Sequence, residues 1–351
     1  MVSSIQAGAR VLVTGATGYV GAQVADQFLK AGYVVVGTSR TAAKAQGVKN
    51  YFDDKYGAGK FEVYETGDLV KDGAFDGAVK DVDAIAHVAS PVVFNATDPI
   101  KEVIELAVSS TLSLLNSALK YGKNVKHVVV TSSVASIADG TAAPDHVFTE
   151  ADWNDVAFET VLKQKESGQP IHPFVAYVAS KNEAERAIWR FKEEKKPAFT
   201  ISTILPSFVY GPMLPPPATV QEVQANTTAK EIIFYYSGEN QDPSKDLGLN
   251  AFVDVTDVAL AHVRAIERAD KTDGQRYLLS SGTFTFQQAA DILREAYPER
   301  QNIIAKGQPG QKSPENKFDH SKSVRDLDIK YKDFKTTVLD TIDSVKHLYK
   351  L

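Results

Sequence analysis

The chain has 351 residues, 43% of them apolar and 24% charged, so at about 150 residues per domain it can build one large domain or two lobes around a sizeable core. A net charge of −5 gives no broad positive field, which argues against a nucleic acid or an anionic membrane surface as the main partner. With no cysteine in the chain, disulfides, thiolate metal sites, iron–sulfur clusters and a cysteine nucleophile are all excluded.

The first ten residues lack the apolar core of a secretory leader, and no run approaches the roughly 18 apolar residues of a membrane span. A soluble, cytoplasmic protein is expected. The seven histidines never stand closer than nineteen positions apart, so local metal-ligand spacing is missing and no metal site is expected. Residues 11–13 then read as a short buried strand, followed by an amphipathic helix over 18–31 that Gly32 closes. Further strands are expected at 33–38, 61–64, 84–87 and 128–131, with a helix from Asp98 and Pro99 to about Leu119. After a loop-rich stretch, a helix over 175–194 and a strand over 199–205 complete five or six parallel strands with helices on both faces. This is an α/β, doubly wound parallel-sheet Rossmann domain.

Composition changes at Pro206, where Pro212 and the run Pro215-Pro216-Pro217 open a long connection to about Asn250. Beyond it come a helix at 256–267, a strand at 276–279, and helices at 285–296 and 336–349. The expected division is a dinucleotide-binding domain of residues 1–205 plus about 251–265. A smaller substrate lobe of residues 206–250 and 266–351 interleaves with it, over the carboxyl ends of the strands, where ligands bind in such sheets.

The spacing Gly15-Ala16-Thr17-Gly18-Tyr19-Val20-Gly21 sits between the first strand and the first helix. Glycine there lets the chain turn tightly, approach a pyrophosphate and pack helix on strand, while the helix amino end offers free N–H donors. The alternative is an ordinary strand-to-helix turn. At the end of the second strand, where NAD sites carry an acidic residue, this chain has Thr38-Ser39-Arg40-Thr41 with Lys44 beyond. Two cations with hydroxyls beside them suit a 2′-phosphate, so NADPH/NADP is the expected cofactor. A solvated basic helix start is the alternative.

Tyr177 and Lys181 are one helical turn apart. A phenol with a pKa of about 10 donates a proton reluctantly unless a nearby cation stabilises its anion. The spacing also occurs at Tyr51/Lys55, Tyr56/Lys60 and Tyr331/Lys335. Only the pair at 177 and 181 starts a long helix downstream of a serine cluster, Thr131-Ser132-Ser133, at the end of the fifth strand. A hydroxyl there can hold a carbonyl oxygen as negative charge grows on it. A structural turn serine and a core-facing tyrosine are the alternative readings.

With those motifs go Gly67-Asp68-Leu69, His87-Val88-Ala89-Ser90-Pro91, Val130-Thr131-Ser132-Ser133, Pro206-Ser207-Phe208-Val209-Tyr210-Gly211-Pro212 and Phe252-Val253-Asp254-Val255-Thr256-Asp257-Val258-Ala259. As a set, over almost the whole chain, they resemble the extended short-chain dehydrogenase/reductases. The nearest likeness is to the fungal NADPH-dependent aldehyde and ketone reductases of the methylglyoxal-reductase type. The resemblance implies that Tyr177 is the general acid, that Ser133 polarises the carbonyl, and that Lys181 lowers the tyrosine pKa and binds the nicotinamide ribose. It assigns Gly15, Thr17, Gly18, Tyr19 and Val20 to the pyrophosphate, Arg40 and Lys44 to the 2′-phosphate, and Asp68 and Leu69 to the adenine. Ala89, Pro206 and Val209 fall near the nicotinamide, and Phe94, Val134 and Tyr210 on the substrate wall. Asp254 and Asp257 are read as helix-capping landmarks outside the site. Ser109 stands where many relatives carry an asparagine, so a proton relay behind Lys181 is expected to use water or backbone carbonyls.

The reading is an NADPH-dependent carbonyl reductase acting on a small-molecule aldehyde or ketone: small aldehydes, α-dicarbonyls, aryl ketones or keto esters. A sugar-nucleotide epimerase or dehydratase on the same fold is the rival enzyme; it needs tightly held NAD, against which Arg40 argues. A non-catalytic NADP(H)-sensing regulator is the rival of another class, and loss of Tyr177 or Lys181 would be its signature. The long helices at about 99–120 and 175–194 suit a homodimer interface or the core equally.

Overall fold

The computed structural model describes residues 5–90, 96–143 and 145–350. Its strands are β1 (Arg10–Thr14), β2 (Val34–Ser39), β3 (Phe61–Glu65), β4 (Ala84–His87), β5 (His127–Thr131), β6 (Thr200–Pro206), β7 (Phe208–Tyr210), β8 (Ala251–Asp254), β9 (Arg276–Leu279) and β10 (Gly282–Thr283). Seven of them form one wholly parallel sheet in the order β3-β2-β1-β4-β5-β6-β9. The order reverses between β1 and β4, which opens a crevice at their carboxyl ends.

Alternation along the strands decides what covers each face. Val11 and Val13 of β1 join the cluster of Val24 and Phe28 from α1 (Tyr19–Lys30), Phe52 from α2 (Ala42–Tyr56) and the helix Val255–Glu267. Leu12 faces the other way, toward Leu114 and Leu115 of α3 (Leu106–Tyr121) and Ile188 and Phe191 of α5 (Pro173–Lys195). Between these two helices in the chain, α4 (Asp155–Glu166) packs Ala157 and Val161 against Val178 and Ala179 of α5. Because both faces are covered, the strands read as continuous apolar runs.

A second core belongs to the smaller lobe. The sheet β10-β8-β7 and the helices Ala229–Ser237, Phe286–Ala296 and Phe334–Asp343 enclose Tyr210, Tyr235, Phe252, Phe284 and Phe286, all of them buried. Two strands cross the expected division. β8, expected with the large domain, lies in this three-stranded sheet, while β9, expected in the smaller lobe, is the seventh strand of the large sheet. Burial explains the second: Arg276, Tyr277, Leu278 and Leu279 are all buried, as a covered parallel strand requires.

Three further differences are local. The stretch read as loop-rich holds α4, whose inward stripe is only Ala157 and Val161, too narrow to show as periodicity. The connection from Pro212 to Asn250 contains the helices Val220–Gln224 and Ala229–Ser237. The last helix ends at Asp343 and is followed by a single turn, Lys346–Leu348. None of the helices in the described residues is long and apolar enough to cross a membrane.

Candidate active site

The crevice is built from the turn after β1. Gly15 adopts φ 68°, in the left-handed region, and a Cβ there would stand 3.1 Å from the Ala89 Cα. The turn thus accepts the loop after β4 at a distance only glycine allows. A Cβ on Gly21 would lie 2.1 Å from the Gly15 carbonyl oxygen, so this glycine lets α1 close onto the strand. Gly18 caps α1 without a side-chain hydrogen bond, which leaves the first N–H groups to a ligand. The side chain of Tyr19 turns away, donating to the Gly211 carbonyl at 2.8 Å. Together with Gln23, which donates to the Pro212 carbonyl at 2.8 Å, it ties the turn to the connection between the lobes.

At the end of β2 the Ser39 hydroxyl is buried without a hydrogen-bond partner, an uncommon arrangement that a ligand oxygen would relieve. Arg40 and Lys44 are exposed and paired with no carboxylate among the described residues. These residues fit a 2′-phosphate. One carboxylate does stand nearby in space, although none is adjacent in sequence. Glu65, in register with Ser39 on β3, accepts the Ala42 N–H at 2.9 Å and occupies the start of α2. Asp68 is exposed in the turn after β3, where its carboxylate accepts the Val70 N–H at 3.2 Å, and Leu69 packs on the core beside it. Val209 is half-buried in β7, and its carbonyl accepts the Thr228 hydroxyl at 2.6 Å.

Ser133 caps the short helical turn Val134–Ser136, accepting the Ala135 N–H at 3.1 Å, and its hydroxyl is in hydrogen-bond contact with that of Tyr177. Lys181 lies one turn along α5 with Nζ 5.6 Å from the centre of the Tyr177 ring. Its ammonium donates to Ser90 Oγ at 2.8 Å. Burial lowers the Lys181 pKa to about 8. Burial also raises that of Tyr177, and the Ser133 hydrogen bond opposes it. The direction of the Tyr177 shift is thus set by burial, with the Ser133 hydrogen bond acting against it.

Directly beneath, Glu185 accepts the hydroxyls of Ser132 and Ser136 at 2.6 Å each and that of Thr203 at 2.9 Å, and pairs with Arg276 Nε at 2.7 Å. Both charged partners are buried, and the guanidinium stacks 3.7 Å above Trp153. The serine loop is thereby fastened to the helix that carries Tyr177 and Lys181.

The glycine turn, Ala89, Ser133, Tyr177, Lys181 and Pro206 all stand at the carboxyl edge of the parallel strands. The other Tyr-x-x-x-Lys pairs are engaged elsewhere: Lys55 is tied to Asp26 at 2.7 Å, and the Tyr331 hydroxyl bonds Ser323 at 2.7 Å. Tyr210 is a correction. Expected on the substrate wall, it is fully buried in the smaller lobe, its hydroxyl 3.2 Å from Glu231 and its ring edge-on to Phe284. Val134 is half-buried beside Ser133, and Phe94 lies outside the described residues. Asp254 caps the helix Val255–Glu267 as expected, accepting the Thr256 N–H at 2.8 Å, and Asp257 accepts the Lys332 N–H at 2.9 Å. Sequence reasoning missed Ser90, the Glu185–Arg276 pair and Phe174, a 55% exposed aromatic stacked 6.4 Å from Tyr177. Phe174 was the most accessible of these, since it falls three residues before Tyr177 on the same helix face.

Residues 11–280 match the NAD dependent epimerase/dehydratase family. The putative NADPH-dependent methylglyoxal reductase of Candida albicans is 35% identical over 346 residues, covering 95% of this chain and 98% of the relative. The crystal structure of Gre2 from Candida albicans in complex with NADPH superposes with a TM-score of 0.84 at 32% identity, covering 97% of this chain and all of the other. Yeast methylglyoxal/isovaleraldehyde reductase complexed with NADPH gives a TM-score of 0.83 at 29% identity, over 96% and 98% of the two chains. Glycine turn, parallel sheet and family match agree, and the chain belongs to the epimerase/dehydratase family of extended short-chain dehydrogenase/reductases.

Proposed function

We propose that this protein is an NADPH-dependent carbonyl reductase that converts aldehydes or ketones to alcohols. The observation that carries the reading is the meeting of Ser133, Tyr177 and Lys181 beside the glycine turn. The full-length likeness to NADPH-dependent reductases supports it. Bound NADPH supplies the hydride. The backbone N–H groups at Tyr19 and Val20 would hold the pyrophosphate, with Gly15, Thr17 and Gly18 shaping the turn, where the Gly18 N–H donates to the Gly15 carbonyl at 2.9 Å; Ser39, Arg40 and Lys44 would hold the 2′-phosphate. Asp68 and Leu69 would flank the adenine, and Ala89, Pro206 and Val209 would border the nicotinamide.

Ser133 and Tyr177 share a hydrogen bond, so a carbonyl oxygen placed between them receives two hydroxyl donors. As charge grows on that oxygen, the Tyr177 proton moves to it, which makes Tyr177 the general acid. Lys181 lies where its ammonium favours the phenolate left behind. Val134 and the exposed Phe174 offer an apolar rim suited to small aldehydes, α-dicarbonyls and aryl ketones. Tyr177→Phe tests the assignment: with methylglyoxal and an aryl ketone as substrates, kcat is expected to fall about 10²- to 10⁴-fold. NADPH binding, followed by fluorescence titration, stays within about threefold of the wild type. Undiminished turnover removes Tyr177 from its role.

A further inference from the structure

Behind Lys181 lies a cavity of about 20 Å³ whose lining includes His87, Thr111, Thr131, Ser132, Lys181 and Glu185. That volume takes one water, provided polar groups face it. Ser109 does not serve it: the residue is exposed, and its hydroxyl donates to the Glu105 carbonyl in its own helix.

His87 does face it, in a tautomer that can be worked out. Thr14 Oγ1 accepts the N–H groups of Val88 and Ala89, both at 3.0 Å, which uses its two lone pairs. The threonine proton therefore goes to His87 Nδ1 at 2.8 Å. Burial, reinforced by the Lys181 charge, holds the His87 pKa down to about 3. The ring is thus neutral and carries its hydrogen on Nε2, which is buried without a hydrogen-bond partner. Such a donor is costly unless something accepts from it. Lys181 has three hydrogens to place. One goes to Ser90 Oγ, a second has the cavity before it, and the third is left for the Tyr177 side.

We propose that one water fills this cavity, accepting from His87 Nε2 and Lys181 Nζ, and that His87 acts through it as a positioning residue for the Lys181 ammonium. An acceptor for the water's own hydrogen is at hand. His262 Nδ1 donates to the Val258 carbonyl, so His262 Nε2 accepts the Thr131 proton at 2.7 Å and leaves the Thr131 oxygen lone pairs available.

The inference rests on the role of Lys181 given above, and its test separates the two. A crystal structure of the wild-type enzyme at about 1.5 Å should show ordered density within hydrogen-bond reach of both His87 Nε2 and Lys181 Nζ; a dry cavity overturns the proposal whatever the kinetics. The paired variants H87N and H87Q supply the second readout. Asparagine keeps a polar atom near the Nδ1 position and loses the donor into the cavity; glutamine keeps the donor near Nε2. H87N is expected to lower kcat about tenfold and to lose the water, the scale of one hydrogen bond, while H87Q recovers kcat to within about threefold. Equal losses in both variants mean a merely structural histidine and overturn the proposal. Should Tyr177→Phe remain active while the water is present, the fault lies in the functional reading instead. Should neither variant fold, the wild-type density alone decides.

Discussion

Removing the Glu185 carboxylate tests how the site is held together. In Glu185→Ala the Arg276 guanidinium stays buried over Trp153, its Nη1 still donating to the carbonyls of Glu150 and Asp152 at 2.8 and 2.7 Å, but its charge has no counterpart. Three hydroxyls lose their acceptor as well. Breaking a buried pair from one side costs about 3–5 kcal/mol. With an unfolding entropy of about 2.1 cal/mol/K per residue, a chain of this length should melt about 4–7 °C lower. Because the serine loop is fastened to α5 through this carboxylate, kcat should fall at least about tenfold, and by more than KM rises. Calorimetry with steady-state kinetics measures both, and the double variant Glu185→Met with Arg276→Met should regain part of the melting temperature, since no charge is then stranded. An unchanged melting temperature in Glu185→Ala would refute the claim that this pair carries the site.

Arg40→Asp should raise the KM for NADPH about ten- to hundredfold and leave that for NADH nearly unchanged, as steady-state kinetics with the two cofactors will show; an unchanged ratio removes Arg40 from the phosphate site. Gly21→Ala forces a methyl group to 2.1 Å from the Gly15 oxygen, so the turn must open; a lower melting temperature and weakened NADPH binding in a fluorescence titration are expected. Lys181 gives a pH signature. With a pKa of about 8 folded against 10.5 in the unfolded chain, the unfolded state holds a proton between those values that the folded state has released. Stability referred to this group therefore rises with pH across that window. Chemical denaturation at a series of pH values should show that slope in the wild type and its loss in Lys181→Met. Turnover that needs the ammonium should decline above about pH 8.

The parts of this site that are legible in the sequence are local ones. A glycine turn between an apolar strand and an amphipathic helix shows itself within eight residues, and Tyr177 and Lys181 share one helix face. What stays hidden depends on which strands become neighbours. Thr14 and His87 meet through the register of β1 on β4, and Ser39 and Glu65 through that of β2 on β3. Glu185 and Arg276 are 91 positions apart and join only because β9 lies beside β6. The run over 276–279 reads as a strand, but nothing in those four residues says which sheet it enters. Tyr210 fails for a related reason. In a strand of three residues the alternation is too short to choose a face, and packing on Phe284 chooses it.

The four Tyr-x-x-x-Lys pairs show why spacing alone carries no chemistry. Lys55 sits near the rings of both Tyr51 and Tyr56, closer than Lys181 sits to that of Tyr177. Its charge is nevertheless spent on Asp26, and the same carboxylate, added to burial, pushes the Tyr56 phenol up to about 12. At Lys181 the identified partner is the neutral Ser90 hydroxyl, and no carboxylate among the described residues forms an ion pair with it. An ammonium held by neutral donors and acceptors keeps its field for whatever anion forms nearby, whereas one already paired cancels it. That residual field is also why burial can lower the Lys181 pKa, since no counter-charge offsets the desolvation. The cost of burying an unpaired cation and its use to a developing phenolate have the same origin, and they appear together at only one of the four sites.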